Sequence, residues 1–209
     1  MIDAWLPVKK TYSQYGEDVF IANELKKYSC KDEFFIDIGA NHPSDISNTY
    51  LLYRMGYRGI VIEPNEELIR LFRKFRKRDI AIMIGCNNET KVLRFNISKT
   101  PVLSSFSEDR IVNLYKQVFS PVMPLDLAIA NIPCPMISLL SIDVEGLNYE
   151  VLQGAIQTLK KTLLLCIEFD KDYERGLFEE ILKDEFELIQ TFHCNLLYRN
   201  IRLATQLRN

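Results

Sequence analysis

Short apolar runs and helical spacings take turns along this chain. Phe34–Ile38, Gly59–Glu63, Ile80–Ile84, Met136–Val144 and Leu163–Phe169 are largely apolar segments of strand length, the pattern of strands buried on both faces. Between them, apolar residues recur at helical intervals. Glu17–Tyr28 carries Val19, Phe20, Ala22 and Leu25, and the segment from Asn65 to about Arg78 carries Leu68, Ile69, Leu71, Phe72 and Phe75, with Asn65 placed to cap it. Asp45–Met55 reads as a helix stopped by Gly56, Asn148–Leu159 as one interrupted by Gly154, and Tyr173–Lys183 as a third. Lys91–Ile97 is expected to be a strand pairing near Ile80–Ile84, Tyr115–Met123 another strand and Leu125–Ala130 a short helix. Phe186–Leu203 reads as a closing pair of strands. Buried strands joined by helical crossovers form a mostly parallel sheet between helical layers, an α/β three-layer sandwich. Neither a repeat nor a linker interrupts the pattern, so one domain over residues 1–209 is expected.

Composition agrees and excludes some partners. At 209 residues and 47% hydrophobic, the chain can bury a sizeable core. A formal charge of −2 provides no basic field for nucleic acid. No apolar run approaches the roughly 20 residues of a membrane span, and Met1–Lys10 lacks the apolar core of a signal peptide. The five cysteines are scattered without zinc spacing, which points to reduced thiols and a cytoplasmic location. On that reading Asn88-Glu-Thr90 and Asn96-Ile-Ser98 are chance matches to a glycosylation pattern.

Chemistry gathers where strands end. Phe35-Ile-Asp-Ile-Gly-Ala-Asn-His-Pro43 delivers Asp37, Gly39 and Asn41 after one strand, and Glu63 closes the next. Ligands of such sheets sit beyond the carboxyl ends of the strands. Gly39 would let backbone approach a ligand, and Glu63 would accept hydrogen bonds from ribose hydroxyls. Dinucleotide binders carry three glycines here to cradle a pyrophosphate; one glycine fits a ribose-bearing ligand without a pyrophosphate, of which S-adenosylmethionine is the common one.

Ser13-Gln-Tyr-Gly-Glu-Asp18, the Phe35–Pro43 loop with Ser47-Asn-Thr-Tyr50, Ile62-Glu-Pro64 and Leu140-Ser-Ile-Asp-Val-Glu-Gly146 occur in that order. Together they resemble the FkbM family of S-adenosylmethionine-dependent methyltransferases, over roughly Ser13–Phe169. The resemblance implies a class I methyltransferase (Rossmann-like) fold, with a seven-stranded sheet bearing one antiparallel edge strand. It also implies O-methylation of a hydroxyl, commonly on sugars or other secondary metabolites. It assigns the cofactor to Asp37, Gly39, Ala40, Asn41 and Glu63, with Asn65, Cys86 and Asn87 near the ribose and adenine. Gln14 and Gly16 would fold over the site from an N-terminal segment spanning residues 1–30. His42-Pro43 marks a branch variant, and Leu103-Ser-Ser-Phe-Ser107 fits the family only loosely.

Methyl transfer to a hydroxyl requires in-line positioning and removal of a proton. His42, one of two histidines, lies at the cofactor loop and is a candidate base. Asp143 and Glu145 are the other candidates, and Asp143 is the first choice for touching the substrate or the methionine end of the cofactor. With Glu168 and Asp170 they could hold a divalent cation, so Asp143, Glu168 and Asp170 form a candidate metal set. The plain alternative is that Asp143 or Glu145 caps a helix. The expected acceptor is a small molecule or glycan, reached in solution or by peripheral contact with a lipid-linked precursor. Other features read plainly. The basic run Arg70–Arg78 is a solvated face, Tyr50, Tyr53 and Tyr57 are core and rim rather than a sugar-stacking platform, His193 is structural in a late strand, and Cys86 is a small buried residue. Two rival functions stand beside methyl transfer. A nicotinamide oxidoreductase lacks an evident Tyr-x-x-x-Lys pair, and a non-catalytic cofactor-binding module would not need acids at successive strand ends.

Overall fold

A computed structural model describes residues 11–30, 33–107 and 111–208. The first ten residues, on which the reading of the N-terminus as free of a signal peptide rested, lie outside them. Among the described residues, ten strands and eight α-helices follow one another as α1 (Glu17–Leu25), β1 (Phe34–Ile38), α2 (Tyr50–Arg54), β2 (Arg58–Ile62), α3 (Glu66–Phe75), β3 (Ile80–Ile82), β4 (Gly85–Cys86), β5 (Lys91–Ser98), β6 (Leu114–Met123), α4 (Leu125–Ala128), β7 (Ile137–Ile142), α5 (Asn148–Gln153), α6 (Ile156–Leu159), β8 (Thr162–Glu168), α7 (Asp172–Leu182), β9 (Phe186–Phe192), β10 (Asn195–Asn200) and α8 (Ile201–Leu207).

Seven strands form the main sheet in the order β3-β2-β1-β7-β8-β10-β9. The first five run parallel. Antiparallel pairing is confined to the far edge, where β10 runs against both β8 and β9. Period-two alternation divides the core between the two faces. Ile36, Ile38, Leu140 and Ile142 pack against Val151, Leu152 and Phe178 of α5 and α7. Phe35, Val61, Leu139 and Cys166 face the other way, onto Ile21, Leu52 and Phe72 of α1, α2 and α3 and Ala204 of α8. Burying one such side chain contributes about 1.5–3 kcal/mol, so the sheet is held from both sides. Among the described residues no helix is long and apolar enough to cross a membrane.

The structure departs from the sequence pattern in three places. The expected helix over Asp45–Met55 forms only at Tyr50–Arg54, because Ile46 takes a left-handed backbone (φ 49°) and the chain before it is a turn around His42. Lys91–Ser98 does not pair near β3. It joins β6 in a separate three-stranded sheet ordered β4-β6-β5, where an eight-residue antiparallel ladder offers more pairing than the short β3. The final segment turns helical after Asn200, whose side chain accepts the Leu203 N–H and caps α8.

Candidate active site

The strand order reverses between β1 and β7, and a cavity of about 280 Å³ opens at their carboxyl ends. Every strand end that supplied a polar group in the sequence contributes to its wall. Gly39 and Asn41 follow β1, Glu63 follows β2, Asp143, Val144 and Glu145 follow β7, and Glu168 ends β8. An apolar wall of Ile84, Gly85, Cys86, Leu103 and Phe106 closes one side.

Glu63 is the best-placed cofactor residue. Its carboxylate is buried and accepts the backbone N–H of Asn41 at 3.0 Å and of Asn65 at 2.8 Å. A carboxylate has about four acceptor positions, so half remain for ribose hydroxyls. Burial, above all, raises its pKa to about 7, against the two N–H donors and with help from the negative Asp37 and Asp143. Asn41 sits in the left-handed region at φ 47°, a conformation Asn tolerates, and its buried Oδ1 has no partner within the protein. An orphaned acceptor beside a half-satisfied carboxylate fits a hydroxyl-bearing cofactor at this loop.

The other assigned residues take supporting places. Asp37 does not line the cavity; Oδ2 accepts the Thr49 hydroxyl at 2.5 Å, and the buried Arg76 guanidinium, which also donates to Thr49 Oγ1 and to the carbonyl of Pro43, lies close by. Asp37 and Arg76 therefore hold the cofactor loop from behind. Ala40 packs in the core, Asn65 caps α3 through the Glu67 N–H, and Asn87 turns its side chain to the Asn88 N–H. None of the three lines the cavity, whereas Cys86 does. Gly39 lines the cavity and also meets a packing demand. A β-carbon there would lie 1.7 Å from the backbone oxygen of Asp143, so the glycine lets β1 and β7 close together.

At the ends of β7 and β8, three carboxylates converge. Ligand oxygens of Asp143, Glu145 and Glu168 all lie within 4.8 Å of one another. Glu145 is held in a left-handed backbone (φ 54°), and its carbonyl accepts the Ser105 hydroxyl at 2.6 Å. No side chain caps the N-terminus of α5; Asn148 instead receives the Val144 N–H, which removes helix capping as the reason for the acids. Burial, then the charges of Asp143 and Glu145, push the Glu168 pKa far above the carboxylate range, and a side-chain hydrogen bond with Asp143 adds to the rise. The expected metal set changes, because Glu145 rather than Asp170 completes the cluster. His42 does not line the cavity. Its Nδ1 accepts the backbone N–H groups of Ser44 (3.3 Å) and Asp45 (3.1 Å), which assigns it to shaping the turn.

The Methyltransferase FkbM domain matches residues 37–199, most of the chain. The chain belongs to the FkbM methyltransferase family. Family and fold imply S-adenosylmethionine as methyl donor. Among solved structures, the METTL16 MTase domain superposes with a TM-score of 0.52 at 10% identity, covering 88% of this chain and 66% of that one, which agrees with the class I methyltransferase fold. A putative rRNA-methylase from Clostridium thermocellum gives 0.49 at 11% identity over 86% of this chain and 92% of that one. Monomeric WbdD gives 0.44 at 10% identity over 80% of this chain and 36% of that one. The chain thus spans about a third of WbdD and just under two thirds of the METTL16 domain. No curated protein matches it significantly.

The FkbM motifs also explain what plain sequence reading left out. Ser13 and Asp18 of the N-terminal motif bond to each other: the Ser13 hydroxyl donates to Asp18 Oδ1 at 2.8 Å and accepts the Asp18 N–H at 3.2 Å. This knot places Gln14 and Tyr15 on the cavity rim, while Gly16 stays outside it and begins α1. His193 belongs to the turn between β9 and β10 rather than to a strand, and it lines the cavity with Cys194. The loosely matching Leu103–Ser107 loop is a wall, with Phe106 packed on Phe95 at 4.7 Å between ring centroids. Tyr50, Tyr53 and Tyr57 stay away from the cavity, as expected of core and rim residues. Those rim contributions depend on sequence-distant contacts, and only the Ser13–Asp18 motif hinted at them.

Proposed function

We propose that this FkbM methyltransferase transfers a methyl group to a hydroxyl oxygen, the acceptor being a sugar in a glycan or in a nucleotide- or lipid-linked precursor. The supporting observation is the carboxylate cluster of Asp143, Glu145 and Glu168, which lines the same cavity as Glu63. Bound S-adenosylmethionine supplies an electrophilic methyl group on a sulfonium. Glu63 and Asn41 would hold its ribose hydroxyls, and the apolar wall around Cys86 and Phe106 would shield its adenine from water. Asp143 takes the proton of the acceptor hydroxyl from its place in the carboxylate cluster on the cavity wall. Glu145 accepts a neighbouring hydroxyl and orients the acceptor. Proximity and orientation supply most of the acceleration.

The same three carboxylates suit a hard divalent cation, with Asp143, Glu145 and Glu168 as oxygen ligands. Held by those oxygens, such a cation would supply Lewis-acid polarisation of the hydroxyl. Residues 1–209 would act as a single domain, with the N-terminal segment over the cofactor, in the cytoplasm. Incubation with labelled S-adenosylmethionine and host glycan or nucleotide-sugar extracts, with and without a chelator, tests the acceptor and the metal together. Label in a sugar ether is the expected product. Label confined to non-sugar metabolites, or tight calorimetric binding of NAD with none of S-adenosylmethionine, overturns the proposal.

A further inference from the structure

Two exposed rings stand at the mouth of the cavity, beside Glu168. Tyr15 comes from the N-terminal loop and His193 from the β9–β10 turn, yet their rings stack with centroids 4.9 Å apart and planes 23° from parallel. Tyr15 is 41% exposed, and His193 is exposed as well. Exposed rings stacked this way are not a by-product of core packing. One buried carboxylate ties both segments down. Glu17, 0% exposed, accepts the Tyr15 N–H at 2.8 Å through Oε2 and the Asn195 side-chain amide at 2.9 Å through Oε1.

The backbone gives a second, independent sign. Phe192 pairs with Asn195, which leaves His193 and Cys194 as a two-residue hairpin loop. Such loops favour Gly, Asn or Asp at positions of positive φ. This chain has His193 there, at φ 22°. A strained imidazole, exposed and stacked at a cavity mouth, is not the residue that the turn itself favours.

We propose that the Tyr15–His193 pair is the acceptor subsite, a platform for one face of a pyranose ring whose hydroxyls reach the carboxylates of Asp143, Glu145 and Glu168. A sugar ring has an apolar C–H face and hydroxyls at its edge; an outer face of the stacked pair covers the C–H face, the other ring holding it in place, and carboxylates accept from the hydroxyls. The arrangement at this mouth provides both, with Glu168 adjoining the rings. This inference rests on the reading of the protein as a methyltransferase of sugar hydroxyls.

Saturation-transfer NMR tests it, using protein saturated with S-adenosylhomocysteine and methyl glycosides of mannose, rhamnose, glucose and galactose as probes. Calorimetry follows S-adenosylhomocysteine binding, and melting curves follow folding. Saturation of ring C–H protons is expected with the wild type, falling by about fivefold or more in Tyr15→Ala and His193→Asn, the scale of a lost ring contact. S-adenosylhomocysteine affinity should not change, and His193→Asn should melt no lower than the wild type, since Asn tolerates the turn better. Undiminished saturation in both variants overturns the subsite, as does failure of every glycoside to saturate on the loaded wild type. A clear drop in the melting temperature of His193→Asn also overturns it, because the imidazole would then be part of the fold. If the wild type bound no S-adenosylhomocysteine, the methyl-transfer reading would fail first and the subsite with it.

Discussion

Replacing Gly39 with alanine separates two explanations of the cofactor loop. The added β-carbon would sit 1.7 Å from the Asp143 backbone oxygen and 2.7 Å from its carbonyl carbon. Carbon and oxygen normally approach no closer than about 3.3 Å, so β1 and β7 must part by more than an ångström at their carboxyl ends. That movement breaks the bond from the Asp143 N–H to the Ile38 carbonyl, now 3.0 Å, at a cost of about 1 kcal/mol. Holding alanine at the observed φ of +74° adds about 1–2 kcal/mol. Overpacking beside Ile38 and Ile142, each 1% exposed, adds about 1–3 kcal/mol more. Neighbouring costs overlap, so a loss of about 3–5 kcal/mol is expected, a large share of the roughly 5–15 kcal/mol of a typical domain. The assay is urea unfolding of ligand-free protein followed by circular dichroism, with the slope m checked for constancy. A loss below about 1 kcal/mol without ligand, combined with abolished S-adenosylmethionine binding, would refute the packing explanation and return Gly39 to ligand approach.

Other changes read the remaining parts of the site. Glu168→Gln keeps a donor toward Asp143 and removes the titration. The folded-state pKa of Glu168 is raised, so the folded protein holds a proton that the unfolded chain has lost above about pH 4.3, and stability falls as pH rises from there toward the folded pKa. The variant should therefore lose less melting temperature than the wild type between about pH 5 and 8; equal slopes would contradict the assignment. Arg76→Met strands Asp79, its partner at 2.7 Å with both side chains 0% exposed, and should cost about 3–5 kcal/mol in urea unfolding; a loss under 1 kcal/mol would show that the pair can be dispensed with. His42→Ala should cost about 1 kcal/mol through the lost turn contacts and leave methyl transfer close to wild type, and a rate loss above about tenfold would restore it as a base. The Cys86 thiol, pushed up to about 12 by burial, and the buried Cys166 should resist iodoacetamide in the native protein and react in urea; mass spectrometry showing native labelling at either would contradict the burial.

Much of the fold was readable because burial on both faces writes a simple signal. β1, β2, β7 and β8 are largely apolar runs, and their boundaries in the structure lie within two residues of the pattern. Asn65 was legible as a cap from residue type and position. The Asp45–Met55 helix was over-read because local spacing carries no information about His42 accepting two backbone N–H groups. The pairing of Lys91–Ser98 was misplaced because a strand's partner lies outside its own sequence.

By itself the sequence determined the order of elements, the polar groups at the strand ends and, through the motif series, the family. Periodicity, turn residues and short motifs are local, and local physics writes them directly into the chain. Only the tertiary structure decided how those groups share the work. Sheet order brought Asp143, Glu145 and Glu168 together, while Asp37 was turned from the cofactor toward Thr49 and Arg76. Gly39 proved to answer to a carbonyl more than 100 positions away, and the buried Glu17 joined Tyr15 to the far end of the chain. Each of these depends on contacts between residues distant in sequence, and a linear pattern holds no record of the distance that packing closes.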